Sequence, residues 1–227
     1  MDLTESWPTT VEEARAVQDL LRADVDLTDS APTVLQTVAG LDVAYIEDSC
    51  RAVAAVVVVS YPDLTVVDQS VVVVDVPFPY IPGLFAFREV PPLVDALCGL
   101  SVTPDALVCD GYGIAHPRRF GLACHLGVVT GLPAIGVGKT MFVGTYPPVA
   151  SERGSWSEIS DQGEVVGRAV RTRSDVKPVF VSVGHRIGIG RACDLVLNLC
   201  HGYRLPETTR LADRLAREAG RRLLGAS

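Results

Sequence analysis

Three carboxylates stand at positions where a purely structural protein would rarely place them. Asp42 interrupts an otherwise apolar strand pattern over residues 38–45, where an unpaired buried charge costs several kcal/mol. Asp110 ends the apolar run 106–110, and Glu89 begins a predicted helix after a proline-rich loop. Oxygen ligands from separate elements suit Mg²⁺. Together these acids predict a magnesium site that assists phosphodiester cleavage. Taken singly, they can also be an edge-exposed Asp, a turn Asp and a helix N-terminal acid.

A basic segment follows Asp110 closely. His116, Arg118 and Arg119 stand at the start of a predicted helix over 117–130, where backbone N–H groups and the helix dipole favour anions. This arrangement predicts a phosphate clamp. The structural alternative for His116 is a capping or core histidine.

The charge distribution allows a nucleic-acid partner despite the net charge of −7. Residues 1–114 carry 4 Lys and Arg against 18 Asp and Glu, whereas residues 115–227 carry 16 against 9. Such asymmetry is compatible with an acidic centre and a basic face on one globule. The same cations can equally be solvated surface charges.

The composition predicts one α/β domain spanning residues 1–227. The chain is 48% hydrophobic and 21% charged, with a mass of 24.2 kDa, which supplies ample core. Its longest apolar stretch, 52–59, is far shorter than the ~20 residues of a membrane-spanning helix. The acidic N-terminus lacks a signal-peptide pattern, so we expect a cytoplasmic protein without a membrane partner. The sequence contains no Cys-x-x-Cys pair, so we do not expect a structural zinc site. No interface patch stands out in the sequence, so we expect a monomer.

The elements that must position these side chains follow from the hydrophobic pattern. An opening helix over 5–24 has Thr9 or Thr10 as its cap and a stripe of Val11, Ala14, Val17, Leu20 and Leu21. The remaining pattern predicts strands near 36–46, 51–60, 64–76, 106–110, 134–137, 164–171 and 178–183, and helices near 87–100, 117–130, 188–200 and 207–223.

This order predicts a mixed sheet, in which an antiparallel meander joins parallel strands through right-handed crossovers. The first strand of the meander can then lie beside the first parallel strand, which brings Asp42 close to Asp110. Ligands bind at such carboxyl ends of strands.

Motifs spread over about residues 35–215 resemble the endonuclease V family in type and order. They are Asp42 in its strand, Pro-Tyr-Ile-Pro-Gly at 79–83, Phe-Arg-Glu at 87–89, Asp-Gly-Tyr-Gly-Ile-Ala-His-Pro-Arg-Arg at 110–119, Gly-Val-Gly-Lys at 136–139, Gly-His-Arg at 184–186 and Tyr-Arg-Leu-Pro-Glu at 203–207. The proline-rich loop and the run at 110–119 are the most specific of these.

The resemblance implies a ribonuclease H-like mixed sheet flanked by helices and a Mg²⁺-dependent endonuclease, with Mn²⁺ as a substitute metal. It implies nicking of DNA at deaminated bases, chiefly deoxyinosine, at the second phosphodiester bond 3′ to the lesion. Some members of the family cut inosine-containing RNA instead. An inosine-specific endoribonuclease is therefore one alternative, and a non-catalytic nucleic-acid binder on the same fold is another.

The resemblance also implies roles for individual residues. Metal ligation falls to Asp42, Glu89, Asp110 and Asp213. Lys139 and His116 would act at the scissile phosphate. Tyr80 would be the wedge that fills the gap left by an extruded base, within a nucleic-acid-binding set that includes Pro79, Pro82, Arg118 and Arg119. The base pocket would be lined by Gly83, Phe85, Gly111 and Leu122.

Some positions depart from the pattern of bacterial relatives. Tyr112 stands where His is common, Gly138 where Ala is frequent, and Phe85 where Leu is frequent. These departures bear on base preference more than on metal chemistry.

Overall fold

The computed structural model describes residues 7–46 and 49–225 as a mixed α/β fold around an eight-stranded sheet. The strands are β1 (Thr37–Tyr45), β2 (Arg51–Ser60), β3 (Val66–Asp75), β4 (Ala106–Cys109), β5 (Ala134–Gly138), β6 (Trp156–Asp161), β7 (Glu164–Val170) and β8 (Val179–His185). The helices are α1 (Val11–Arg22), α2 (Ala86–Cys98), α3 (Leu122–Thr130), α4 (Ile189–Leu199) and α5 (Glu207–Gly225). The sheet order is β3-β2-β1-β4-β5-β8-β7-β6.

The predicted mixed sheet is confirmed. β1, β2 and β3 form the antiparallel meander, and β1, β4 and β5 run parallel to one another. Leu41 on β1 is aligned with Cys109 on β4, so that Asp42 and Asp110 are the next residues along two adjacent parallel strands. The register therefore fulfils the expectation that these acids lie at the same edge of the sheet.

Helices cover both faces because β1, β2 and β4 are buried on both sides. Residues such as Val38 and Val108 pack with α4 and α5, whereas Leu41 and Leu107 pack with α2 and α3. Continuous apolar runs are typical of strands in such a central position.

α5 approaches β1 through a gap left by Gly40. A Cβ atom at Gly40 would lie 2.1 Å from the backbone carbonyl carbon of Thr208, in the first turn of α5. Only glycine permits this approach. The contact fixes the start of the helix that carries Asp213.

The opening helix is shorter than predicted, and its buried face differs. It starts after Thr10, whose side chain accepts a hydrogen bond from the Glu13 N–H in a capping box. Residues 5 and 6 of the predicted helix lie outside the described residues. Leu20 was expected in the apolar stripe but is 55% exposed, whereas Gln18 is buried at 1% exposure.

One helix boundary and one strand differ from the sequence-based prediction. The helix expected over 117–130 begins at Leu122, because residues 117–120 form a turn in which Arg119 adopts a positive φ of 55°. The strand β6 was not predicted. It lies at the sheet edge, where most of its side chains are polar and not buried.

The structure also bears on the cysteines and on membrane-spanning helices. The cysteines are all free thiols. Across the described ranges, no helix is long and apolar enough to cross a membrane.

Candidate active site

Carboxylates from four elements meet at the carboxyl ends of β1 and β4, and we call them the acidic cluster. Asp42 lies on β1, Asp110 directly follows β4, Glu89 lies in the first turn of α2, and Asp213 lies on α5. Glu89 is only 6% exposed. The chain thus brings together acids that are separated by up to 171 residues in sequence.

The carboxylates interact electrostatically across these elements. The pKa of Asp42 is raised to about 7, chiefly by burial and then by the charges of Asp110 and Asp213, against the opposing charges of Lys139 and Arg217. Burial likewise raises the pKa of Glu89 well above its usual range, with additional contributions from Asp42 and Asp110. Repulsion between close like charges disfavours their ionised forms. Burial and the neighbouring carboxylates therefore oppose simultaneous ionisation of all the acids in the cluster.

Two cations offset part of this charge. Lys139, which follows β5, forms a salt bridge with Asp110. Burial alone would lower the pKa of Lys139, but the contact with Asp110 raises it, so its ammonium group stays protonated. At the other side, Arg217 Nε donates to Asp213 Oδ1 at 2.7 Å. Neither Asp42 nor Glu89 has a hydrogen-bond or salt-bridge partner among the described side chains.

The donor set fits a hard divalent cation. Hard divalent cations prefer carboxylate oxygens, and the cluster supplies them from four acids, two of which have no hydrogen-bond or salt-bridge partner among the described residues. In the described part of the chain, no three His, Cys, Asp or Glu side chains are already arranged as a ligand set. The cluster is therefore gathered by the fold without being closed into a coordination shell.

A cavity of about 310 Å³ opens beside the acidic cluster and shares Asp110 with it. This volume lies near the lower end of the roughly 300–1,000 Å³ that small-molecule sites occupy. The four residues expected in a base pocket all line it, and so do other aromatic and small residues: Gly83, Phe85, Gly111, Leu122, Tyr80, Pro82, Ala86, Tyr112, His116, Gly121 and Phe142.

Tyr80 stands at this cavity on the proline-rich loop. It is 68% exposed, and its ring centroid lies 5.7 Å from that of Phe85 in an edge-on arrangement. The loop is anchored by Arg88, whose Nη1 donates to the Phe78 carbonyl at 2.5 Å and whose guanidinium lies over the Tyr45 ring. Pro79 is exposed on the same loop. An exposed ring on an anchored loop can enter a base stack at little entropic cost.

His116 lies in the cavity wall and is 5% exposed. Burial, followed by the charge of Arg118, lowers its pKa to about 4, although contact with the Gly83 backbone opposes the shift. Its ring is therefore neutral at neutral pH. This position favours a hydrogen-bonding role in the cavity over charge compensation at a phosphate.

Arg118 and Arg119 do not form the clamp expected from the sequence. Arg118 pairs with Asp19 of α1 at 2.6 Å. Arg119 pairs with Asp161 at 2.8 Å and with Glu164 at 2.9 Å, at the turn between β6 and β7. Both guanidinium groups therefore form ion pairs within the chain. The segment that carries them is a turn ahead of α3, and not the helix N-terminus that the clamp required.

The two departures at positions 112 and 138 are linked by packing. A Cβ atom at Gly138 would lie 2.6 Å from Cε1 of the Tyr112 ring. The Tyr112 hydroxyl donates to the Thr140 carbonyl at 3.0 Å, which holds the ring in place. A larger aromatic side chain at 112 thus occupies the space that an alanine at 138 would need.

Sequence reasoning assigned no role to two residues near the site. Phe142 lines the cavity and packs on Tyr112 with ring centroids 5.1 Å apart. Arg204 donates to the backbone carbonyls of Lys139, Lys177 and Pro178 and so anchors the segment that carries Lys139. The motif at 203–207 marked Arg204 as notable, but no local pattern marks Phe142.

Comparison with known proteins agrees with this geometry. The family profile described as Endonuclease V matches residues 19–214. The endonuclease V of Streptomyces coelicolor is 53% identical over 220 residues, covering 96% of this chain and 94% of the relative. The crystal structure of endonuclease V from Streptomyces avermitilis has a TM-score of 0.93 at 51% identity, covering 97% of both chains.

A more distant structure was solved with nucleic acid. Endonuclease V of Ciona intestinalis, in complex with a 23mer DNA containing an inosine followed by a ribo-adenosine, has a TM-score of 0.82 at 28% identity. It covers 94% of this chain and 98% of its own. On the family profile and the full-length relatives, this chain belongs to the endonuclease V family and is a metal-dependent endonuclease, a hydrolase acting on DNA.

Proposed function

We propose that the chain nicks DNA at deaminated bases, chiefly deoxyinosine, at the second phosphodiester bond 3′ to the lesion, with Mg²⁺ as its metal and Mn²⁺ as a substitute. The observation that carries the proposal is the shared wall at Asp110, where the acidic cluster meets a cavity of about 310 Å³. An enzyme that recognises one base and cleaves a bond at a neighbouring nucleotide needs a base-binding site beside a cleavage site. DNA repair is the process that this activity serves.

The acidic cluster performs the cleavage in this proposal. Asp42, Glu89, Asp110 and Asp213 would hold Mg²⁺, which when bound supplies activation of water and charge stabilisation on the leaving oxygen. Lys139 lies at Asp110 and remains protonated, so its ammonium group is placed to bind a phosphate oxygen. Water attacks the phosphorus, and the bond from phosphorus to the leaving oxygen breaks.

The cavity performs the recognition. A base that leaves the stack costs a few kcal/mol, and the cost is least for damaged or mismatched bases. Tyr80 is placed to fill the space that such a base vacates, as apolar wedges do in other proteins that distort DNA. Gly83, Phe85, Gly111 and Leu122 offer backbone groups and apolar contacts to the displaced base. Neutral His116 adds a hydrogen-bonding group to the same wall.

Inosine-containing RNA is a second candidate substrate. The DNA in the Ciona intestinalis complex contains an inosine followed by a ribo-adenosine. A contact to the 2′-hydroxyl would distinguish an RNA substrate from a DNA substrate.

The family assignment removes support from the non-catalytic alternative. The monomeric state and the cytoplasmic location stay predictions from the sequence.

Cleavage of matched oligonucleotides tests the proposal. The purified chain is incubated with duplexes that differ only in one deoxyinosine, and with an inosine-containing RNA of the same sequence. We expect a Mg²⁺-dependent nick at the second bond 3′ to deoxyinosine and no nick in undamaged DNA or in EDTA. Faster cleavage of the RNA would favour the second candidate. Binding without nicking in Mg²⁺ would refute the catalytic proposal.

A further inference from the structure

The buried amide of Gln18 joins two backbone segments that contribute to the wall of the cavity. Gln18 lies on α1, is 1% exposed, and stands in the otherwise apolar face formed by Ala14, Val17 and Leu21. Its Nε2 donates to the Gly83 carbonyl at 3.1 Å and to the Phe120 carbonyl at 3.0 Å. One side chain therefore holds two loops that are distant in sequence.

The chemistry of these contacts fixes the orientation of the amide. Both partners are carbonyl oxygens, which only accept hydrogen bonds, and the amide nitrogen carries two hydrogens. The Oε1 atom of Gln18 is buried and has no hydrogen-bond partner in the described part of the chain. Burying a polar side chain with an unpaired oxygen is unfavourable. The two donated bonds are what the structure gains from placing a glutamine at this position.

Both anchored carbonyls belong to segments that face the cavity. Gly83 lines the cavity itself, and a Cβ atom at this residue would lie 3.9 Å from the His116 ring. Phe120 directly precedes Gly121 and Leu122, which also line the cavity. Under the proposed function, the spacing between these two segments would influence which base fits.

We infer that Gln18 is a positioning residue for base recognition, which sets the separation of the cavity walls by holding the Gly83 and Phe120 carbonyls together. This inference rests on the proposed function, because it takes the cavity as the base-binding site. Gln18 itself does not line the cavity, so its effect reaches the base only through the two loops.

The test compares binding of inosine-containing and undamaged duplexes in EDTA, with the melting temperature of each variant measured alongside. Gln18→Met keeps the length of the side chain and removes both donors. We expect it to weaken binding of the inosine duplex by about tenfold, with unchanged binding of undamaged DNA. In a separate Mg²⁺ assay with saturating enzyme, its cleavage rate should stay within about twofold of wild type, since the acidic cluster is untouched.

A second variant and a matched control keep the test decisive. Gln18→Glu can donate one hydrogen bond only while its carboxyl is protonated, so its preference for inosine should decline as the pH rises. Val17→Ala removes buried volume from the same helix face and should lower the melting temperature without changing the preference for inosine.

Two outcomes would overturn the inference. One is a folded Gln18→Met or Gln18→Glu variant with wild-type preference at every pH, and the other is an equal loss of preference in Val17→Ala. A wild-type chain that prefers the inosine duplex without nicking it would remove the proposed function and leave the role of Gln18 standing.

Discussion

The acidic cluster and the cavity share Asp110 but are built in opposite ways. In the acidic cluster, Asp42 and Glu89 have no hydrogen-bond or salt-bridge partner among the described residues, and burial, followed by repulsion from neighbouring carboxylates, raises the pKa of each. In the cavity, backbone carbonyls are paired by Gln18, and rings such as Phe85 and Phe142 fill the walls. The cluster is thus electrostatically unsatisfied without a cation, whereas the cavity is preorganised by packing and hydrogen bonds. Under the proposed function, cleavage would depend on a bound cation at the acidic cluster, and base recognition would depend on the shape of the cavity.

The largest expected effect separates cutting from reading at the residue they share. Asp110→Ala removes a carboxylate from the cluster and frees Lys139 from its salt bridge. We expect cleavage of inosine-containing DNA to fall by about 1,000-fold or more, because several kcal/mol of transition-state stabilisation are lost. Binding of the same DNA in EDTA should change far less than cleavage, because Asp110 is only one of twelve residues that line the cavity. Cleavage rates and binding constants measured on one preparation check both expectations, and full activity would contradict the role of Asp110.

The converse variant should weaken binding of inosine-containing DNA and leave the cleavage rate largely intact. Tyr80→Ala removes the exposed ring at the cavity. We expect binding of inosine-containing DNA to weaken by about tenfold or more, since stacking of a base on an aromatic ring contributes about 1–3 kcal/mol. The cleavage rate at saturating enzyme should fall far less. Trp156→Ala, which removes an exposed ring from the edge strand β6, is the control and should bind normally.

A third set of variants tests whether the residues at positions 112 and 138 are coupled by packing at the cavity wall. Gly138→Ala places a methyl group against the Tyr112 ring and should destabilise the fold by about 1–3 kcal/mol, as overpacking does. Tyr112→His in the same chain should restore most of that loss, because the smaller ring vacates the space. Urea unfolding of the wild type, both single variants and the double variant gives the coupling. Additive changes would show that the two positions are independent.

The last prediction concerns stability alone and the aromatic packing around His125. His125 is fully buried among Phe87, Phe120 and Trp7, its ring nitrogens have no hydrogen-bond partner among the described residues, and burial lowers its pKa to about 3. Its folded-state pKa lies below the unfolded value of about 6.5, so the unfolded chain binds the proton first and stability falls as the pH drops below 6.5.

This contribution can be isolated by substitution. Between pH 7 and pH 5, the wild type should lose about 2 kcal/mol more unfolding free energy than His125→Leu, since the other titrating groups are common to both proteins. Urea unfolding at the two pH values measures the difference. Equal losses in both proteins would show that His125 is not held neutral.

Much of the fold followed from local pattern, and the exceptions have identifiable causes. The valine-rich meander and the placement of Asp42 beside Asp110 were predictable because buried strands and their parallel neighbours leave clear apolar runs. The strand β6 escaped prediction because an edge strand needs few apolar residues. The α3 boundary was wrong because a proline at 117 suits both a turn and a helix start.

The site was predictable where chemistry is local and not where it depends on distant partners. Asp42, Glu89 and Asp110 stand out in their own segments, whereas Asp213 was assigned only through the family resemblance. The pairing of Arg118 with Asp19, and of Arg119 with Asp161, joins residues 99 and 42 positions apart, which no local pattern indicates. Gln18 was overlooked for the same reason, since its partners lie 65 and 102 positions away.

The close approach at Gly40 has a consequence for how the enzyme can be disabled. The start of α5 rests on the bare backbone of β1, and Asp213 lies about one and a half helical turns beyond Thr208. A methyl group at position 40 would push the helix outward, and a rigid helix transmits such a shift along its length. Gly40→Ala, which changes no charge, would then displace Asp213 from the acidic cluster and silence the nuclease while leaving every one of its acids in the sequence.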